Sequence, residues 1–309
     1  MKIHYGYNGL KIKNPAVALG IFDGVHIGHK ALIDSLKSTA RSIDGESVII
    51  TFSPHPRLVL QGTGDILLLT CIEEKKALLE AEGIGHLIII PFDHEFSNQE
   101  ACMFIENVLV KSLGARHLTV GFNHHFGRRR DGDLERIRKC AESFGIKVGQ
   151  VDEYKTEADV VSSSAVREAL LSGDLVKAEK LLGYNYFITG TVGKGKMLGR
   201  QLGFPTANVV PLCENKLVPQ DGVYAVGIVV GGKKFEGMCS IGTNPTVASG
   251  AGNRTIEVNI FDFDEDIYDT RITVNFQFRI RDISKFGSLE ELKNQIGLDK
   301  ESVLRFFKR

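Results

Sequence analysis

The segment GIFDGVHIGH at residues 20–29 holds the densest set of groups able to do chemistry in this chain. Gly20, Gly24 and Gly28 let the backbone approach a ligand closely, and a helix opening at its end presents unpaired N–H groups to an anion. Phe22 and Asp23 fall inside the same turn. His26 and His29 are three residues apart at the helix start, so both imidazoles can face one phosphate and donate to charge developing on a phosphoryl oxygen. A helix N-terminus tends to lower an imidazole pKa, so neither ring is assumed to be charged.

Three other segments offer matching groups: TFSPHP at 51–56, GFNHHFG at 121–127 with Asn123, and VSSSAVR at 161–167. The hydroxyls of Ser163 and Ser164 and the guanidinium of Arg167 suit the outer phosphates of a nucleotide. The competing reading is a zinc cluster of His26, His29, His55, His124 and His125. The Gly and Phe neighbours, and the lack of Asp or Cys at ligand spacing, favour the phosphate pocket.

A second glycine-rich stretch, 190–208, contains Gly195, Gly199, Arg200 and then GFPTAN, with Gly203, Pro205, Thr206 and Asn208. It is not a P-loop, because no Gly-Lys-Ser/Thr follows at the required spacing. All nine histidines lie at or before His125. A general base in the second half must therefore be another residue type, and a carboxylate is the natural candidate. In the strand TIEVNIF, Glu257 shares a face with Asn259 and Phe261.

The elements that must position these groups fall into two regimes. Strand-like runs at 16–21, 47–52, 86–91 and 117–122 alternate with helix-like runs at 29–41, 73–82, 98–113 and 134–144, the second of these helices with Lys and Glu outside. That alternation predicts a mostly parallel sheet with helices on both faces, and ligands bind beyond the carboxyl ends of such strands. From Gly190 onward, closely spaced strands at 223–230, 235–241, 255–261 and 271–280 predict a small antiparallel barrel. Ser288 and Glu291 predict a capping box opening a final helix. The boundary is expected near residue 185.

The 309 residues suit two domains, and 38 basic residues balance 38 acidic ones. Neither part is a polyanion binder: up to residue 183 there are 22 basic and 24 acidic residues, beyond it 16 and 14. No nucleic-acid or membrane partner is expected. Five widely spaced cysteines without a C-x-x-C pair, and no secretory pattern at the start, suggest a cytoplasmic protein.

Taken together, GIFDGVHIGH, TFSPHP, GFNHHFG, VSSSAVR and GFPTAN resemble the motifs of bacterial bifunctional riboflavin kinase/FAD synthetases, over nearly the whole chain. The resemblance implies an α/β plus β architecture. Residues 1–184 would form a doubly wound nucleotidyltransferase-type parallel sheet, and residues 185–309 a small antiparallel β-barrel with a terminal helix. It implies that riboflavin is phosphorylated to FMN with ATP, and that FMN is adenylylated to FAD with release of pyrophosphate, with Mg²⁺ in attendance. His26 and His29 would contact ATP phosphates, Asn123 would position FMN or ATP, and Ser163, Ser164 and Arg167 would hold the leaving group. Gly20, Phe22, Asp23, Gly24 and Gly28 in one module, and Gly195, Gly199, Arg200, Gly203 and Pro205 in the other, would bind nucleotide or substrate. Thr206 and Asn208 would hold Mg²⁺, and Glu257 would be the general base. Three positions depart from the family pattern: Ser164 for Thr, His124-His125 for a Phe-x pair, and Asn259 for a histidine, the last read as peripheral. The alternative is a chain that retains one activity, the kinase before the synthetase, its other module being a flavin-binding or structural domain. A further rival is an adenylyltransferase for another small phosphate.

Overall fold

The structure, a computed structural model, describes residues 1–61, 66–122, 134–155, 160–195, 199, 202–243 and 254–308. The chain divides into two compact units, Met1–Ser163 and Ser164–Arg309.

The first unit is built on six parallel strands: β1 (Lys2–Tyr5), β2 (Ala16–Leu19), β3 (Ser47–Ser53), β4 (His86–Pro91), β5 (His117–Gly121) and β6 (Lys147–Val151). Their order is β1-β4-β3-β2-β5-β6. Successive strands step outward one way from β2 and the other way from β5, so the topological switch lies between these two neighbours. Ligands of doubly wound sheets bind at that crevice. The loop that leaves β2 there is the Gly20–His29 segment.

Alternate residues of the central strands feed two cores. Val17, Leu19, Val48 and Ile50 pack against Phe104, Val108 and Ile137 on one face. Ala16, Ala18, Ile49 and Leu87 pack against Ile33, Leu36 and Leu79 on the other. Helix α1 (Ile27–Ser42) thus covers the second face, placing its N-terminus beside the end of β2.

Some helical readings need correction. The run expected at 98–113 is instead α4 (His94–Ser97), α5 (Ala101–Phe104) and a π-helical segment (Ile105–Ser112) that continues α5. Asn98 ends α4 rather than starting a helix. A short α2 (Pro56–Gln61) follows the TFSPHP segment. In α3 (Ile72–Ala81), Glu74 and Lys75 are buried, not outside. The Glu74 carboxylate turns back to accept from the Cys71 backbone N–H at 2.8 Å, satisfying an orphan donor of the first turn. Helix α6 (Leu134–Ser143) precedes β6.

The second unit contains α7 (Ser163–Leu171, all but its first residue), α8 (Leu175–Leu182) and a closed six-strand barrel. Its strands are β7 (Phe187–Gly193), β8 (Ala207–Pro211), β9 (Gly222–Val230), β10 (Lys233–Thr243), β11 (Arg254–Ile260) and β12 (Arg271–Arg281). The order is β10-β11-β8-β7-β12-β9, with antiparallel pairing throughout. Closure leaves no unpaired edge.

The final helix α9 (Leu289–Phe307) covers Ala225, Met238 and Phe261 on the outside of the barrel. Ser288 caps it, accepting from the Glu291 N–H at 3.1 Å, but the Glu291 carboxylate reaches the N–H of Gly287, one residue before the cap. A bidentate pair fastens the helix to β12: Arg281 donates to both oxygens of Asp299 at 2.8 and 2.6 Å, and Gln295 donates to the same carboxylate. Asp299 is buried, so removing one partner strands a desolvated charge. Arg281→Met, which leaves the buried Asp299 carboxylate without its cation, is expected to lower the unfolding free energy of the barrel unit by about 3 kcal/mol. Urea denaturation followed by circular dichroism measures this, and an unchanged midpoint would contradict it.

Candidate active sites

In the first unit the loop after β2 takes a demanding backbone path. Phe22, Gly24 and Val25 have φ values of 51°, 82° and 36°. Left-handed geometry at a phenylalanine and a β-branched valine costs of order 1–3 kcal/mol each, so the surroundings must hold it. Asp23 supplies the hold. Its carboxylate is buried and accepts from the backbone N–H groups of Leu69 (3.1 Å) and Thr70 (3.0 Å) and from the Thr70 hydroxyl (3.2 Å). The Thr70 Oγ1 in turn accepts from the Gly24 N–H at 3.1 Å. The loop is thereby clamped to the residues that lead into α3.

Phe22 is buried, and a Cβ on Gly20 would strike its ring at 2.9 Å. His26 is the N-cap of α1, and its Nδ1 accepts from the His29 backbone N–H at 3.2 Å. A backbone N–H can only donate, so His26 keeps its proton on Nε2 and presents a donor from there. The two imidazoles stack with centroids 3.6 Å apart and 14° between planes. Gly28 leaves room for this, since a Cβ there would lie 3.3 Å from the His26 ring.

His29 also tilts against Phe22, and among the described residues its buried Nδ1 has no hydrogen-bond partner. Burial, then the neighbouring His26 and Lys75, hold its pKa well below 6.5, so the ring is neutral at neutral pH. Ser163 joins the group by donating its hydroxyl proton to the Asp23 carbonyl at 2.9 Å.

Sequence reading gave Asp23 a ligand role and passed over Leu69, Thr70 and Lys75. Lys75 lies in the first turn of α3 with 5% of its surface exposed. Burial pushes its pKa down while the charge of Asp23 acts to raise it. A lysine three residues after Ile72 and four before Leu79, within an apolar stripe, is the signal that could have marked it. Asn123, His124 and His125 lie outside the described residues. Ser164 and Arg167 stand on α7, the first exposed and the second half-buried, in the other unit.

The barrel assembles the second group. Glu257 on β11 is the register partner of Asn208 on β8 and of Ser240 on β10, so the three share one face. The glycines lie directly over the GFPTAN segment. A Cβ on Gly195 would stand 1.9 Å from the Asn208 Nδ2, and one on Gly199 2.4 Å from the Phe204 carbonyl oxygen and 3.2 Å from the Thr206 Oγ1. Gly203 turns the chain with φ 86°. Asn259 is not peripheral: it is buried, and its Nδ2 donates to the Pro205 carbonyl at 2.6 Å, bracing the turn that presents Thr206 and Asn208. Arg200 lies outside the described residues.

Two compact modules, each setting a glycine-lined backbone beside polar groups suited to an anion, describe a two-site phosphate-transfer enzyme. Residues 10–165 match the FAD synthetase family and residues 182–307 the riboflavin kinase family. The chain is 36% identical over 282 residues to the bifunctional riboflavin kinase/FMN adenylyltransferase of Pseudomonas fluorescens, covering 91% of this chain and 89% of that one. It is 36% identical over 292 residues to the protein so named in Escherichia coli (strain K12), covering 94% and 92%. The chain belongs to the bifunctional riboflavin kinase/FMN adenylyltransferase family. The crystal structure of a Streptococcus pneumoniae protein described as a macrolide-efflux protein superposes with a TM-score of 0.87 at 30% identity, over 98% of this chain and 99% of that one. Among the described residues of this chain, no helix is long and apolar enough to cross a membrane.

The His29 geometry has a measurable consequence. Its folded-state pKa is depressed, so its contribution to stability is present above the ordinary value of 6.5 and is lost as pH falls toward the folded value. In ring-selective NMR of the folded protein, His29 is expected to stay neutral as pH passes down through 6.5. A His29 midpoint at or above 6.5 would contradict this.

Proposed function

We propose that the protein phosphorylates riboflavin to FMN in the barrel module and adenylylates FMN to FAD in the parallel-sheet module, using ATP each time. The modules are taken as residues 1–184 and 185–309, with most of α7 and of α8 filling the interval between the two family matches. The observation that carries the reading is the register of Glu257 with Asn208 beneath Gly195: a carboxylate beside an oxygen donor under a glycine cradle.

In the kinase step the nucleophile is a neutral primary hydroxyl. As its oxygen bonds to the γ-phosphorus and ADP leaves, its proton goes to the Glu257 carboxylate. Thr206 and Asn208 suit Mg²⁺, because both carry oxygen donors, and Gly195 and Gly199 let the backbone lie against them where a Cβ would clash. Bound there, the cation would neutralise nucleotide phosphate charge. Asn259 keeps the pair in position through Pro205.

In the adenylyl transfer the nucleophile is the FMN phosphate, already anionic, so no base is needed. The chain has only to align and neutralise. The Nε2–H of His26, the N–H groups opening α1 and the neutral imidazole of His29 serve that purpose, with Ser163 holding the loop. Ser164 and Arg167 are assigned to the departing pyrophosphate, and Asn123 to the flavin or nucleotide.

Incubation with riboflavin, ATP and Mg²⁺, with the flavins resolved by chromatography, is expected to yield FAD by way of FMN. FMN alone would leave only the kinase, and no flavin nucleotide would defeat the reading. Glu257→Gln is expected to abolish FMN formation and spare FAD formation from supplied FMN, and His29→Ala to do the reverse; equal loss of both steps in either variant would sink the separation of sites. Gly195→Ala, which drives a methyl into the Asn208 amide, is expected to reduce FMN formation about a hundredfold while leaving FAD formation intact. Kinase rates within threefold of the parent would remove Asn208 from the site.

A further inference from the structure

Lys75 is a buried lysine, 5% exposed, whose ammonium meets the charge of Asp23 only across space. Among the described residues its Nζ has no hydrogen bond or ion pair. Asp23, the carboxylate whose charge acts on it, commits its oxygens to Leu69 and Thr70. Close by, the buried Nδ1 of His29 is also without a partner. A desolvated cation is costly, and local packing does not call for one here. Ile72 and Leu79 form the apolar stripe of α3, and a leucine or methionine at 75 would extend it. The cost is intelligible where an anion is delivered to the spot.

We propose, resting on the adenylyl-transfer reading of the first module, that Lys75 contacts the polyphosphate of the bound nucleotide, approaching from α3 while His26 and the start of α1 approach from the loop. Its position is fixed by the same clamp that shapes the loop, because Leu69 and Thr70, which hold Asp23, lead directly into α3 through Cys71, its N-cap. In the transfer, an oxygen of the FMN phosphate bonds to the α-phosphorus. The bond from that phosphorus to the bridging oxygen breaks, and pyrophosphate leaves with the electron pair; no proton has to move. An ammonium held in place beforehand stabilises the departing charge without reorganisation.

The test compares Lys75→Gln with Lys75→Arg in the full chain. The Gln variant is expected to lose about a hundredfold in kcat/KM for ATP during FAD formation, with the KM for FMN and the rate of FMN formation unchanged. Its inhibition constant for pyrophosphate is expected to rise at least about tenfold. Arg, which keeps the charge, is expected to recover most of both losses. Values within threefold of the parent for Gln would overturn the proposal. So would equal losses in Gln and Arg accompanied by a lower melting temperature, which is the signature of a purely structural lysine.

A footprint on the parent protein stands independently of folding in the variants and of turnover. Acetylation of Lys75 by a small acylating agent, read by peptide mass spectrometry, is expected to be blocked by pyrophosphate, and indifference to pyrophosphate would refute the contact. If the parent makes no FAD, the reading of the module fails, while the footprint still decides whether Lys75 meets phosphate.

Discussion

The carboxylate of Asp23 is the constraint on which the first site depends. Three donors from Leu69 and Thr70 converge on it, and a fourth bond, from Gly24 to Thr70, closes the clamp. That set holds Phe22 and Val25 in left-handed backbone, with Ser163 adding a bond to the Asp23 carbonyl, and so fixes the start of α1 relative to β2. The clamp explains why an acidic residue sits in a loop suited to anions. Its charge is engaged by two backbone amides and the Thr70 hydroxyl, and its influence reaches the neighbouring lysine across space.

The barrel solves a similar problem by register instead of by a clamp. Antiparallel pairing puts Glu257 opposite Asn208, and a one-residue slip would send both side chains to the other face. Asn259, two residues along the same strand, ties the incoming turn to the sheet through Pro205. Strand β11 therefore carries both the proposed base and the brace for the proposed cation ligands. The terminal helix packs outside β9 and β10 and is held to β12 by the Arg281–Asp299 pair.

Much of this was legible in the sequence, for physical reasons that differ by element. The β-α alternation and the later strand spacing reflect periodicity, and the central strands β3 and β4 and the barrel strands β9 to β12 lie where that periodicity put them. Strands β1 and β6 escaped notice because they are edge strands, half exposed and polar, and lack the apolar run of a central strand. The glycine–histidine loop could be located from residue types alone, but the stacking of its imidazoles and the tautomer of His26 depend on cap geometry. The burial of Glu74 and Lys75 ran against composition, since charged helix residues ordinarily face water. Asn259 looked peripheral for a similar reason: a sequence states an amide, not the carbonyl it reaches.

The confinement of every histidine to the first part of the chain has a consequence for how the two modules share an environment. Imidazole is the side chain whose ordinary charge change falls between about pH 5 and 8. The His29 ring, held neutral by burial to well below pH 6.5, does not make that change on mild acidification. Beside the barrel turn the brace is the amide of Asn259, whose bond to Pro205 does not titrate. On the proposed assignment, each of the two consecutive conversions is insulated from mild acidity at the position in question, one by an imidazole kept from its proton and the other by an amide that takes none.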